Sequence, residues 1–439
     1  MKKRITFLLP LLVVWAIVIA CGLPNPLSPS ATQTPYVITA TSQSTQPVVT
    51  LPENTPDGSG EIQASPTVEI AGPTATQAPQ GGSGGQVVNG PAGVLVFQDI
   101  DGMVTAYDTY GNRAGDISTP GFSGYGPGRI YAYGWDSLGV TNLQTYYFSN
   151  QAQMLKKVAN GQVTDLVTID YFANMAAFAA SPYFLAGKGT FADGGLATEI
   201  MAYNFSGAME TRYYLDTVSA ESHVYAPMMI TGNNGMPDTA YFTMEAYGIG
   251  GDIIYPVTYG LYRMDLASGN VNWLFNDDYR PLSVSADGSL AAIIQQSASG
   301  PQGVTIYELS GPSEITTFDL LMGQDRGAGY AVFSPDNQKV AFMQAGGYMM
   351  AETPDFHSML CYADVAAGAQ ATCLPASDLV VSAEAYPNYW AQPLGWVNNH
   401  EILYEAFTLQ EPQHTLRLLD IDTGIIFNFA PGKFLGFIY

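Results

Sequence analysis

An all-β fold is predicted for residues 93–439, and three observations support it. From position 93 onward, short runs rich in Val, Ile, Tyr, Phe and Leu are broken by Gly, Asn, Asp or Pro about every six to twelve residues. No segment keeps a helical apolar period for long, so helices are not expected. Two segments about fifty residues apart repeat the same strand, turn and strand pattern.

The repeated pattern centres on a Ser-x-Asp turn. One copy reads Ser285-Ala286-Asp287-Gly288, and the other reads Ser334-Pro335-Asp336-Asn337. These units resemble the repeat of TolB-type, WD40-like propellers, in which an aromatic-Ser-Pro-Asp-Gly turn precedes a Lys-Ile-Ala-Phe strand. Asn337 stands where that family has Gly, a mild departure because Asn also tolerates positive φ. The resemblance implies a β-propeller and protein–protein interaction in a cell envelope, although this chain lacks the family's extra N-terminal domain.

Each repeat is completed by two further strands joined at a turn made of a small residue and Gly, as at Ser268-Gly269, Ser310-Gly311 and Thr423-Gly424. This four-strand template predicts blades near residues 124–170, 171–217, 222–276, 280–320, 328–376 and 390–431. Three strands within 94–118 and one within 434–439 remain, and together they make a seventh blade closed by the C-terminal strand. Closure of this kind removes exposed sheet edges. Six and eight blades stay open as alternatives.

The first twenty residues have the layout of a signal peptide: three cations at positions 2–4, then an apolar run that ends before Cys21. The motif Val18-Ile19-Ala20-Cys21 resembles the bacterial lipobox. That resemblance implies cleavage after residue 20 and acylation of Cys21, so that membrane lipid is a partner and the chain is held at the extracytoplasmic face of a bacterial membrane, at the cell surface or in the periplasm. The alternative is an ordinary cleaved signal with a chance cysteine.

Residues 21–91 are predicted to be a disordered tether and residues 92–439 the propeller. The tether is built of Pro, Thr, Ser, Gln, Ala and Gly without Lys or Arg, and it cannot bury enough apolar surface to fold. The whole chain carries a formal net charge of -23. This acidity argues against nucleic acid as a partner, because nucleic acid binding requires clustered Lys and Arg.

Two cysteines remain in the predicted propeller, Cys361 and Cys373. If they lie in one hairpin whose turn is centred on Ala367, they stand directly opposite each other, close enough to be bridged. A cross-strand disulfide is therefore predicted, with two buried thiols as the alternative.

No cofactor is expected from the motifs. The four histidines, His223, His357, His400 and His414, do not have the spacing of a zinc motif and are interpreted as surface residues. The predicted propeller contains no Gly-x-Ser-x-Gly elbow, phosphate-binding loop or dinucleotide fingerprint. Asp287 and Asp336 are expected to accept hydrogen bonds within their own turns.

The candidate binding surface is the long insert from 245 to 259, which carries Tyr247, Tyr255 and Tyr259. The alternative is an insert that merely caps its blade. The function predicted first is a non-enzymatic binding or scaffold module for a protein or glycan. The alternative is an extracellular carbohydrate-active hydrolase or lyase with a site at the mouth of the channel, which would need two converging carboxylates.

Overall fold

The computed structural model describes the part of the chain that the sequence assigns to the propeller. The described residues are 90–98, 103–122, 131–133, 143–149, 151–178, 183–192, 195–204, 208–219, 223–246, 258–297, 300–320, 327–346, 357–379, 389–408 and 414–439. The predicted signal peptide, Cys21, almost all of the predicted tether, Tyr247 and Tyr255 lie outside them. Within the described ranges, no helix has the length and apolar character needed to cross a membrane.

The described residues form 28 strands in chain order. The first three belong to blade 1 and are β1 (Gly93–Gln98), β2 (Met103–Asp108) and β3 (Arg113–Ile117). Blade 2 has β4 (Tyr131–Tyr133), β5 (Gln144–Ser149), β6 (Met154–Ala159) and β7 (Gln162–Thr168). Blade 3 has β8 (Tyr171–Phe178), β9 (Tyr183–Ala192), β10 (Gly195–Asn204) and β11 (Met209–Ser219). Blade 4 has β12 (His223–Asn233), β13 (Met236–Ala246), β14 (Thr258–Asp265) and β15 (Val271–Phe275).

The remaining strands continue the same pattern. Blade 5 has β16 (Tyr279–Val284), β17 (Leu290–Ser297), β18 (Gly300–Glu308) and β19 (Ser313–Phe318). Blade 6 has β20 (Gly327–Phe333), β21 (Lys339–Gly346), β22 (His357–Asp364) and β23 (Thr372–Pro375). Blade 7 has β24 (Tyr389–Trp396), β25 (Glu401–Thr408), β26 (Thr415–Asp420) and β27 (Ile426–Pro431), and β28 (Lys433–Ile438) completes blade 1.

The ring is closed by the C-terminal strand, as the sequence predicts. Strand β28 pairs antiparallel with β1, with Gly93 opposite Ile438, and β1 continues to β2 and β3. On its other side β28 makes one parallel pair with β4, between Ile438 and Ala132, which joins blades 1 and 2 into one sheet. The result is a propeller of seven four-stranded blades, and the alternatives of six and eight are wrong.

The hydrophobic core is divided among the contacts between blades. Among the described residues, seven clusters of buried apolar side chains are found, and each lies between two consecutive blades. Between blades 3 and 4, for example, Ile200 and Tyr213 pack against Tyr225 and Phe242. Tyrosine hydroxyls also bond the backbone of the next blade, as Tyr213 does with the carbonyl of Leu266 at 2.8 Å. No blade therefore buries its apolar faces alone.

The Ser-x-Asp turns hold the first two strands of blades 5 and 6. In blade 5 the Asp287 carboxylate accepts bonds from the Ser285 hydroxyl at 2.8 Å and from the Ser289 amide at 2.9 Å. Gly288 has a φ of 72° there, and a Cβ atom would lie 2.8 Å from the hydroxyl oxygen of Tyr241. In blade 6 Asn337 occupies the same turn position with a φ of 58°, so Asn replaces Gly without changing the turn.

The turns between third and fourth strands use a second carboxylate pattern. In blade 4 the Asp265 carboxylate accepts bonds from the Ser268 amide at 2.7 Å and the Ser268 hydroxyl at 2.6 Å, before Gly269 with a φ of 72°. These bonds from Ser268 lower the pKa of Asp265. Blade 7 repeats the arrangement at Asp420. Gly311, in the equivalent turn of blade 5, does not have a positive φ, so the backbone does not require glycine there.

The predicted disulfide lies in the outer hairpin of blade 6. Cys361 on β22 stands opposite Cys373 on β23 in the strand register, and the two are bonded. The turn between these strands includes Gly368, with a φ of 73°. The bridge fastens the outermost strand of this blade, which pairs with a neighbour on one side only.

Removing the disulfide is expected to lower the free energy of unfolding by about 2–3 kcal/mol, because the bridge closes a short loop in the unfolded chain. The measurement compares chemical denaturation of the wild type with the double variant Cys361→Ala and Cys373→Ala. Reduced wild type is the control and should unfold near the variant. Two alkylatable thiols in the folded, unreduced protein would contradict the bridge.

The turn at Asp265 makes an acid-dependent contribution to stability. Since its pKa is lowered from the ordinary 3.8, the ionised carboxylate stabilises the folded state above that pH, and the contribution is lost as the pH falls through the lowered value. Asp265→Ala should therefore melt below the wild type at neutral pH, with the difference disappearing in acid. Asp265→Asn, which keeps an acceptor but cannot ionise, is the control. An equal difference at all pH values would rule out this role of the ionised carboxylate.

Candidate functional site

Because neighbouring strands in a blade are antiparallel, the connections between them lie alternately at two opposite faces of the ring. In blades 2 to 7 the first strand is the innermost, and in blade 1 the innermost strand is β28. The innermost strand begins at one face of the ring, where the third strand from the inside also begins, and we call this face the mouth face. The first and second strands meet at the other face, in tight turns such as the one around Asp287. First strands of successive blades contact each other, as β16 does with β20 and β20 does with β24. Side chains at the starts of first and third strands therefore gather around the mouth of the channel.

Three side chains from such strand starts come together at blades 4 and 5. His223 begins β12, Tyr259 is the second residue of β14, and Arg280 is the second residue of β16. The guanidinium carbon of Arg280 lies 4.0 Å from the centre of the Tyr259 ring. The His223 ring meets the same tyrosine edge to face at 5.0 Å. All three are half-buried, and we call them the Arg280 cluster.

The backbone on both sides of Tyr259 is fixed by side-chain hydrogen bonds. The Tyr259 amide donates to the Thr243 hydroxyl at 3.1 Å, which holds β14 to β13. The Thr258 hydroxyl donates to the Pro281 carbonyl at 3.1 Å, which holds blade 4 to blade 5. Gly260 follows with a φ of 67°, and a Cβ atom there would lie 3.2 Å from the indole nitrogen of Trp273. The exposed Trp273 thus lies next to the backbone of the cluster.

The charge of Arg280 is balanced by the loop before β16. Its guanidinium donates to the backbone carbonyl of Asp277. Burial lowers the pKa of Arg280, while Tyr259 and the carboxylates of Asp277 and Asp278 raise it. Arginine stays protonated throughout. The cluster therefore presents a fixed cation and two aromatic rings beside two exposed carboxylates.

Such a set can bind a ligand without reacting with it. A guanidinium stacked on a tyrosine is held in one orientation, and its remaining N–H groups can donate to a carbonyl, hydroxyl or carboxylate. Aromatic rings offer apolar area at low cost in conformational entropy. This combination of Tyr, Trp and Arg is the one enriched where proteins bind partners most tightly.

The buried carboxylates in the described part of the chain lie elsewhere. Glu199 in blade 3 makes an ion pair with Lys188 at 3.1 Å, and Glu405 in blade 7 contacts His414. Each therefore has a basic partner on its own blade. Among the residues that the structure describes, no three His, Cys, Asp or Glu side chains come together in a way that could hold a metal ion.

Of the three tyrosines predicted for the binding surface, Tyr259 lies in the Arg280 cluster, and Tyr247 and Tyr255 fall outside the described residues. The histidines differ from the prediction in part. His400 is a surface residue beside Asp422, but His223 and His414 both contact groups inside the fold. Arg280 was missed as well. The pairing of Tyr259 with His223 and Arg280 depends on how two blades pack, and only its place two residues after Asp278 marks Arg280 in the sequence.

Comparison with known proteins finds solved structures that are similar to this chain. No protein-family model matches the chain, and no curated protein matches it. Among solved structures, the chain is similar to TolB from Acinetobacter baumannii, at 15% identity over 76% of this chain and 76% of that one, with a TM-score of 0.36.

Two further structures are similar at comparable levels. An oligogalacturonate lyase from Vibrio parahaemolyticus has 12% identity over 72% of this chain and 83% of that one, with a TM-score of 0.45. The β-propeller domain of the Trilobed protease from Pyrococcus furiosus has 12% identity over 75% of this chain and 89% of that one, also at 0.45. At these scores the likenesses carry no argument about activity or ligand.

Proposed function

We propose that this chain is a lipid-anchored, extracytoplasmic binding module, whose propeller binds a protein or a glycan at its mouth face without catalysis. The observation that carries the proposal is the Arg280 cluster. Its cation and its rings are held in one geometry by strand starts of two blades, and the exposed indole of Trp273 extends the surface. Pre-ordered aromatic and guanidinium groups favour binding because little conformational entropy is lost.

The position of the cluster supports the same function. Side chains at the starts of strands are more rigidly placed than side chains on long loops, which suits recognition. The carboxylates near Arg280, at Asp277 and Asp278, are exposed and belong to the connection between blades. A partner that offers hydroxyl or amide groups can bond both the cation and these acids.

The anchor rests on the sequence motif at Cys21. Two or three acyl chains hold a protein to a membrane far more firmly than one, since each buried CH₂ contributes about 0.8 kcal/mol. A tether of the length of residues 21–91 would allow the propeller to reach partners away from the lipid surface.

Replacing Tyr259 tests the binding surface. Tyr259→Ala removes the ring under Arg280 and should weaken binding at least about tenfold, a loss of about 1.4 kcal/mol. The measurement is titration of the full chain with the best partner found on a glycan array or in envelope extract. Tyr110→Ala is the matched control, because Tyr110 is 85% exposed in a turn at the other face.

Two results would count against the proposal. If Tyr259→Ala and Tyr110→Ala bound the partner equally well, the Arg280 cluster would not be part of the binding surface. Degradation of a bound glycan by the wild type, followed by chromatography of the products, would favour the carbohydrate-active enzyme instead.

Labelling tests the anchor. Cells that express the chain and are fed an alkyne analogue of palmitate should label the wild type, and the protein should sediment with membranes. The variant Cys21→Ser should lose the label and enter the soluble fraction, because the acylated thiol is absent. If the wild-type protein carried no label and was released to the medium, the N-terminal segment would be an ordinary cleaved signal peptide.

A further inference from the structure

A second group of residues belongs to blades 6 and 7, and it starts from an unusual tyrosine. Tyr330 is on β20, the innermost strand of blade 6, at an irregularity where the register with β21 shifts. Its φ is 53°, in the left-handed region that a bulky residue rarely occupies. The residue is nevertheless 39% exposed. Strained backbone of this kind is enriched at functional sites.

The strained backbone brings the Tyr330 ring to blade 7. It meets the buried Trp390 of β24 edge to face, with ring centres 5.9 Å apart. The Trp390 indole donates to the Gln392 side-chain carbonyl at 3.1 Å. Gln392 stands opposite Glu405 in the strand register, and Glu405 contacts His414 at the start of β26. These five residues, the Tyr330 cluster, form a continuous series from an exposed ring to a buried carboxylate.

The electrostatics of the Tyr330 cluster disfavour an anionic ligand. Burial raises the pKa of Tyr330, and the nearby Glu405 carboxylate raises it further, so the phenol stays neutral. Glu405 is only 9% exposed. Bringing a second carboxylate or a phosphate beside a buried carboxylate is unfavourable. Since His414 already contacts Glu405, a cationic ligand would compete with the imidazole for the same oxygen.

We propose that the Tyr330 cluster binds one ring of a neutral saccharide. A pyranose has a face of C–H groups that packs on an exposed aromatic ring, and its hydroxyls both donate and accept hydrogen bonds. Tyr330 supplies the ring, Glu405 accepts, and the Gln392 amide donates and accepts. Sites for small ligands typically combine an apolar surface with a small number of polar groups that fix the orientation of the ligand. The site is separate from the Arg280 cluster, and it goes beyond the proposed function by naming a ligand class.

The test uses the full chain and a panel of neutral oligosaccharides, made of glucose, mannose or N-acetylglucosamine units, titrated by calorimetry. Tyr330→Gly removes the ring and also relieves the positive φ. It should lose at least about tenfold in affinity, and thermal unfolding is measured beside it to show that the variant is folded at the titration temperature. Tyr330→Phe keeps the ring and should keep most of the affinity. Asn337→Gly changes another positive φ position, in a turn, and should bind as the wild type.

Competing ligand classes are separated in the same experiment. Tighter binding of oligogalacturonate than of any neutral oligosaccharide would overturn the proposal. It would also be overturned if a lysine-rich peptide bound the wild type while the sugars did not, and if Glu405→Gln abolished binding of that peptide. Unchanged sugar binding by Tyr330→Gly would also overturn it. If Tyr259→Ala binds the oligosaccharide with wild-type affinity and Tyr330→Gly does not, the saccharide site at Tyr330 is supported even if the Arg280 cluster binds no partner.

Discussion

The pairing of β28 with β1 is the interaction on which the rest of the structure depends. Each blade has apolar residues on both faces, and each face is buried only by the next blade in the ring. Without β28, blade 1 would lack its innermost strand, and the contacts of Val94 and Val96 with blade 7 would lose their support. The backbone hydrogen bonds between β28 and β1 therefore support the side-chain packing between the other blades of the ring.

Much of this architecture could be predicted because its signals are local. The Ser-x-Asp turns at Asp287 and Asp336 each depend on residues within one turn, and the register of Cys361 and Cys373 follows from the length of one hairpin. The closing blade could be predicted by elimination, since three strands remained at one end and one at the other. Blades 2 and 3 lack the Ser-x-Asp turn, so the sequence predicts their approximate extent but not the ends of their strands.

The sites could be predicted only in part, because their members are brought together by the packing of blades. Tyr259 stood out as an aromatic residue at the end of a long insert. Nothing local links it to His223 or Arg280, which begin strands of different hairpins. Tyr330 is a similar case. Its positive φ accompanies a register shift in β20, and the innermost strands of blades 3, 4, 5 and 7 also have register shifts. The sequence does not show which residue of such a strand takes the positive φ.

The strand that completes blade 1 is also the last strand of the ring to be synthesised. Until it emerges, the inner edge of β1 has no strand to pair with. A growing chain therefore cannot close the ring before β28 has been made, and its unpaired strand edge and apolar surfaces are exposed until then. Ring closure is thus tied to the end of synthesis of the propeller.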